Sequence, residues 1–169
     1  VAVVSAGVVL FVCTGNTCRS PLAAAWAERA FAALGLDAVA RSAGVSATED
    51  APASAGAAAV AREAGLDLGG HRARLLTRPA VLEARLVLTM GRRQQEFIAV
   101  LAPEAVPYTH VLRAYATGED GDVSDPYGGD LVVYRRTLRE LSELVDRSLQ
   151  RWSEATARGR HPGEPRRLE

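Results

Sequence analysis

The run Val8-Val9-Leu10-Phe11-Val12 is apolar without interruption and stops abruptly at Cys13. Its length and β-rich composition are those of a strand buried on both faces. A polar loop follows, and Ser20-Pro21 then reads as a helix start, with Ser as N-cap and Pro at the first helical position. Leu22, Ala25, Trp26 and Ala30 recur at three- and four-residue steps, giving one apolar face, and Gly35 closes the helix. A doubly buried strand that turns directly into a helix belongs to a parallel sheet covered on both sides, and few other architectures accept it.

The rest of the chain keeps that alternation. Residues 38–42 read as a second short strand, 52–64 as an Ala-rich helix ended by Gly65, and 85–89 as a third strand. Residues 94–101 read as a helix stopped before Pro103, and 108–112 as a fourth strand. A Gly- and Asp-rich loop spans 118–130. Leu131, Tyr134, Leu138, Leu141, Val145, Leu149 and Trp152 then mark one face of a long amphipathic helix. The segment 48–54 carries no motif. The pattern predicts an α/β fold in three layers, a four-stranded parallel sheet flanked by helices, with an anion-binding loop after the first strand. One domain is expected over residues 1–157, and the Arg-, Gly- and Pro-rich stretch 158–169 reads as a disordered tail.

Charge excludes some partners. Positive and negative side chains balance at 20 each, so no overall field draws the chain to nucleic acid or anionic membrane. All of the cations are Arg, which fits the abundance of Ala and Gly as a compositional bias. Two cysteines give no disulfide framework, and a cytoplasmic location is expected. The apolar N-terminal run lacks a basic region before it, and Arg19 interrupts the approach to Ala23-Ala24-Ala25, so it is not read as a secretory signal.

The loop Cys13-Thr14-Gly15-Asn16-Thr17-Cys18-Arg19-Ser20 has the parts of an oxyanion cradle. Successive backbone N–H groups in a tight turn converge on one anion, and the helix N-terminus adds positive potential. Gly15 and Asn16 tolerate left-handed backbone, and Arg19 offers a planar fork to two oxygens. The same field favours a thiolate, the nucleophilic form of Cys13. Rival readings fare worse. A nucleotide-binding P-loop needs Gly-Lys-Ser/Thr, a dinucleotide fingerprint needs a third Gly, and a metal site needs more ligands than two thiols with scattered His71, His110 and His161. No metal or cofactor is expected. A buried structural cysteine at a strand end remains the bland alternative.

The stretch Cys-Thr-Gly-Asn-Thr-Cys-Arg-Ser-Pro is similar to the signature of the low-molecular-weight protein tyrosine phosphatase family. The resemblance extends across Arg41-Ser42-Ala43-Gly44, His71, Asp125-Pro126 and the closing helix. It implies the same four-stranded parallel fold and hydrolysis of phosphorylated protein side chains, with inorganic phosphate as product. It implies that Cys13 forms a phosphocysteine, that Arg19 and the backbone from Thr14 to Ser20 hold the phosphoryl oxygens, and that Ser20 donates to the Cys13 sulfur. Ser42 and His71 would support Asn16. Asp125 would be the general acid, since a poor leaving group needs a proton as its bond to phosphorus breaks. Glu119, Asp120 and Asp122 are nearby substitutes or surface charges. Cys18 matches a second loop cysteine able to trap oxidised Cys13 as a disulfide.

Two positions bear on the substrate. Thr17 stands where tyrosine-specific members usually carry an aliphatic residue, and Gly128 stands where a second aromatic often follows Tyr127. Thr17, with Tyr127-Gly128-Gly129-Asp130 and Gly121-Asp122-Val123, resembles the family's bacterial protein-arginine phosphatase branch. A hydroxyl beside the phosphorus suits a guanidinium N–P bond, whereas an aliphatic wall suits a flat ring. Phosphoarginine is therefore the favoured substrate, with Thr17 and Tyr127 in the pocket and phosphotyrosine as the alternative. Arsenate reductases of related fold need a further cysteine outside the loop, and none is present. A non-catalytic redox-sensing phosphate-binding module would not need nucleophile, arginine and acid together, and all three are present.

Overall fold

A computed structural model describes residues 5–159. The four strands are β1 (Ser5–Cys13), β2 (Asp37–Gly44), β3 (Ala84–Thr89) and β4 (Thr109–Val111). They lie in the order β2-β1-β3-β4 and pair in parallel throughout. Side chains alternate across the central strand. Val9, Phe11 and Cys13 join one core, and Leu10 and Val12 join the other. That is why the run had to be apolar at every position. On the first face lie α1 (Arg19–Leu34), α2 (Ala55–Glu63), α5 (Leu112–Thr117) and α6 (Leu131–Ala157). On the second lie α3 (Arg78–Glu83), α4 (Arg92–Leu101) and a 3-10 helix, Pro103–Tyr108. The three-layer sheet agrees with the sequence reading.

Several boundaries differ from it for physical reasons. α1 begins at Arg19, with Cys18 as its N-cap, so Ser20 sits inside the first turn. Pro21 is tolerated there because the first N–H to bond within the helix is that of Leu22, to the Cys18 carbonyl at 3.2 Å. α2 starts late, at Ala55, capped by Ser54, whose hydroxyl accepts from the Ala57 N–H. β4 keeps only three residues, and Leu112 opens α5 instead of ending a strand. α3 escapes a periodicity search because it is six residues long; its signals are the Thr77 cap and Pro79. Of the expected tail, Arg158 and Gly159 form the turn that closes α6, and 160–169 lie outside the described residues, as do 1–4.

The carboxyl ends of β1 and β2 are bound together where the loop of residues 13–20 departs. The Val45 N–H donates to the Cys13 carbonyl at 3.1 Å, and the Ser46 N–H to the Thr14 carbonyl at 2.9 Å. Gly44 makes this approach possible. A Cβ there would lie 2.5 Å from the Thr14 carbonyl oxygen and 2.9 Å from the Asn16 nitrogen, both backbone atoms that cannot swing aside. Gly44→Ala is expected to cost about 1–3 kcal/mol in urea denaturation and to lower turnover, because the displaced atoms belong to the loop itself.

Candidate active site

Cys13 ends β1 almost fully buried, with its sulfur 2.9 Å from Ser20 Oγ and accepting from the Asn16 N–H at 3.2 Å. Ser20 Oγ also accepts from Asn16 Nδ2 at 2.8 Å. Its own proton is therefore free to point at the sulfur, the nearer acceptor, with the Ala43 carbonyl at 3.4 Å as the weaker choice. A sulfur receiving two donors is suited to hold negative charge.

Asn16 is the only non-Gly residue of the loop with positive φ, at 55°, and it is 0% exposed. Its Oδ1 accepts from the Arg74 N–H at 2.9 Å, and its carbonyl lies 2.7 Å from His71 Nε2. A carbonyl only accepts, so Nε2 carries the proton. His71 thus meets Asn16 as expected. Ser42 does not: it pairs with Phe11 in the sheet, and among the described residues Asn16 draws on Ser20, His71 and the Arg74 backbone instead. Sequence reasoning missed Arg74 because the contributing group is a backbone N–H that any residue except Pro supplies. It also missed Gln94, buried in the first turn of α4, whose Nε2 donates to Thr14 Oγ1 at 3.0 Å.

A cleft of about 220 Å³ opens over this loop, with Cys13, Thr14, Gly15, Thr17, Cys18 and Arg19 around its floor and Asp125 and Tyr127 at its rim. Arg19 is 7% exposed. Its Nη1 donates to the Val123 carbonyl at 2.8 Å, and its Nη2 lies 3.5 Å from Asp125 Oδ2. The loop bearing Asp125 is itself tied down. The buried Val123 donates its N–H to the Met90 carbonyl at 2.8 Å, and Asp122 accepts from the Arg92 N–H at 3.1 Å. Asp125 then makes a short turn, accepting from the Tyr127 N–H at 3.1 Å, and its side chain stays 51% exposed. Tyr127 is 74% exposed, and Gly128 beside it adopts φ 81°. Glu119, Asp120 and Asp122 do not line the cleft; Asp120 faces Arg92 at 3.8 Å.

The cleft unites a buried thiol, a guanidinium, a tight loop and a half-exposed carboxyl at a strand–helix junction. That combination defines an enzyme that moves a phosphoryl group through cysteine. Residues 8–158 match the family model described as low molecular weight phosphotyrosine protein phosphatase, and the chain belongs to that family. It is a cysteine-dependent protein phosphatase. A protein-arginine-phosphatase of Geobacillus stearothermophilus is 42% identical over 139 residues, covering 82% of this chain and 91% of the relative. A low molecular weight protein tyrosine phosphatase structure from T. tengcongensis superposes with TM-score 0.82 at 42% identity, covering 86% of this chain and 99% of that one. The arginine phosphatase YwlE, in a mutant structure with a phosphorylated active-site serine, superposes with TM-score 0.82 at 35% identity, covering 85% and 94%. No helix among the described residues is long and apolar enough to cross a membrane.

Burial, chiefly, holds the His71 imidazole below its ordinary value of 6.5; the Asn16 carbonyl opposes this, and the Arg72 and Arg74 charges add to it. The native state then binds fewer protons at His71 than the unfolded chain does. Stability contributed by the neutral ring is full above the unfolded value and is lost as pH falls below it. Unfolding free energy measured between about pH 7.5 and about pH 5.5 is expected to fall more steeply for the wild type than for His71→Gln, which cannot titrate.

Proposed function

We propose that this phosphatase acts on phosphoarginine in proteins, and the observation that carries the reading is that Thr17 and Asp125 line the same cleft as Cys13. Thr17 presents a hydroxyl beside the phosphoryl position. Asp125 stands within 3.5 Å of one guanidinium, that of Arg19, and so is placed to meet the cationic leaving group of a substrate as well. Gly128 adds no second aromatic side chain to clamp a ring. The name of the Geobacillus relative supports the same reading.

In this scheme the Cys13 sulfur attacks phosphorus in line as the N–P bond breaks, and Asp125 gives its proton to the departing guanidine nitrogen. Arg19 and the N–H groups of residues 14–20 hold the other phosphoryl oxygens throughout. Asp125, now a carboxylate, takes a proton from water as that water attacks the phosphocysteine; phosphate leaves and the thiolate returns. Cys18 supplies protection: peroxide oxidises Cys13 to a sulfenic acid, and the Cys18 thiol displaces its hydroxyl as water to give a disulfide. Both thiols are free and buried in the resting protein. We place this activity in the cytoplasm on the two cysteines that form no disulfide framework, with phosphorylated proteins as partners, and assign no role for nucleic acid or membrane on the balanced charge of 20 against 20.

Matched peptides carrying phosphoarginine or phosphotyrosine test the assignment. The wild type should prefer phosphoarginine in kcat/KM, and Thr17→Ile should collapse that preference. A preference for phosphotyrosine in both proteins would make Tyr127 sufficient and Thr17 incidental. Cys13→Ser should abolish turnover yet still bind phosphate. Peroxide inactivation should be reversed by dithiothreitol in the wild type and should become largely irreversible in Cys18→Ser, as followed by recovered turnover.

A further inference from the structure

A line of four side chains, Tyr134, Ser54, Cys18 and Thr17, runs from α6 to the wall of the cleft. The Tyr134 hydroxyl, buried at 4% exposure of the residue, lies 3.1 Å from Ser54 Oγ and 3.5 Å from Cys18 Sγ. Ser54 Oγ lies 3.1 Å from Cys18 Sγ, and Cys18 Sγ lies 3.7 Å from Thr17 Oγ1. Ser54 grips the loop a second time, since its backbone N–H donates to the Thr17 carbonyl at 2.9 Å. Gly56 leaves the space that the Tyr134 ring fills.

Proton counting gives this line a direction. Ser54 Oγ already accepts from the Ala57 N–H at 3.3 Å, so one lone pair and one proton remain for Tyr134 and Cys18. A phenol is a better donor than acceptor, and burial, the largest cause, holds the Tyr134 hydroxyl above its ordinary value, so it stays protonated. Tyr134 then donates to Ser54, Ser54 donates to the Cys18 sulfur, and the Cys18 S–H points to Thr17 Oγ1. The Thr17 proton is left free for the cleft, with one lone pair besides. One hydroxyl can thus donate to a phosphoryl oxygen and accept from the guanidinium N–H next to the same phosphorus.

We propose that Ser54 and Tyr134 are positioning residues that orient the Thr17 hydroxyl through Cys18 and thereby set which phosphorylated side chain is preferred. This deepens the phosphoarginine reading and rests on it. Neither residue touches the substrate: Ser54 and Tyr134 are absent from the cleft lining. A purely structural role would instead lower activity on every substrate alike.

The test is the ratio of kcat/KM for phosphoarginine and phosphotyrosine peptides in Ser54→Ala, Ser54→Thr and Tyr134→Phe, each made with Thr17 and with Thr17→Val. Tyr134→Phe keeps the ring that packs on Gly56, so it remains informative if Ser54→Ala loses its helix cap and unfolds. With Thr17 present, Ser54→Ala and Tyr134→Phe should each lower the ratio about fivefold, the size of one neutral hydrogen bond. Ser54→Thr, which restores the hydroxyl, should recover it. In the Thr17→Val background neither substitution should move the ratio further, because the group they orient is gone. Unchanged ratios with Thr17 present, or equal shifts in both backgrounds, would overturn the proposal. Failure of the substrate reading is seen separately, in a wild type that prefers phosphotyrosine.

Discussion

A buried amide side chain must find partners for all its polar atoms, and a non-glycine residue in left-handed backbone costs a further 1–2 kcal/mol or so. Asn16 carries both burdens within the loop that floors the cleft. The site exists because surrounding segments offset them together. Ser20 comes from the first turn of α1, His71 and Arg74 come from the connection before α3, and each bonds a different atom of Asn16. With that residue fixed, its N–H is aimed at the Cys13 sulfur. In the proposed reaction a phosphoryl group would meet a loop already set in place, which is where such a site gains its advantage over water.

Arg19 extends the same logic to the other side of the cleft. One nitrogen is held by the Val123 carbonyl, so the planar guanidinium is oriented before any ligand arrives. The remaining fork faces Asp125, and the loop carrying Asp125 is anchored through Val123 and Asp122 on Met90 and Arg92. Cation and carboxyl thus stand as an ion pair at 3.5 Å on one side of the cleft. The exposed rim, Tyr127 above all, contributes shape with little anchoring.

Much of this was legible in local patterns. The doubly apolar β1, the left-handed αL cap at Gly35 and the long apolar face of α6 all follow from interactions within a few residues of each other, and these the sequence reading placed correctly. It erred where long-range packing overrode a local signal. Ser20 has the residue type of an N-cap, yet the helix begins earlier because Ser20 Oγ is engaged by Asn16 and Cys13 instead. Ser42 sits in a suggestive stretch, yet its place in β2 keeps it among sheet partners, and a backbone N–H took its expected role beside Asn16. The short helices α3 and α5 were invisible because a six-residue segment shows too little periodicity.

The sequence by itself determined that a thiol would stand at the end of a buried strand, followed by a loop able to cradle an oxyanion and an arginine at the head of a helix. Those features depend on residue type and spacing over fewer than ten positions, distances at which chain geometry leaves few choices. Only the tertiary structure decided what supports that loop: the Arg74 backbone, the Gln94 amide beneath Thr14, the Gly44 contact, and Ser54 with Tyr134 behind Cys18. These groups lie tens of residues away along the chain. Their meeting is fixed by strand order and helix packing, which bury the polar atoms together and leave each one dependent on a partner that no local pattern names.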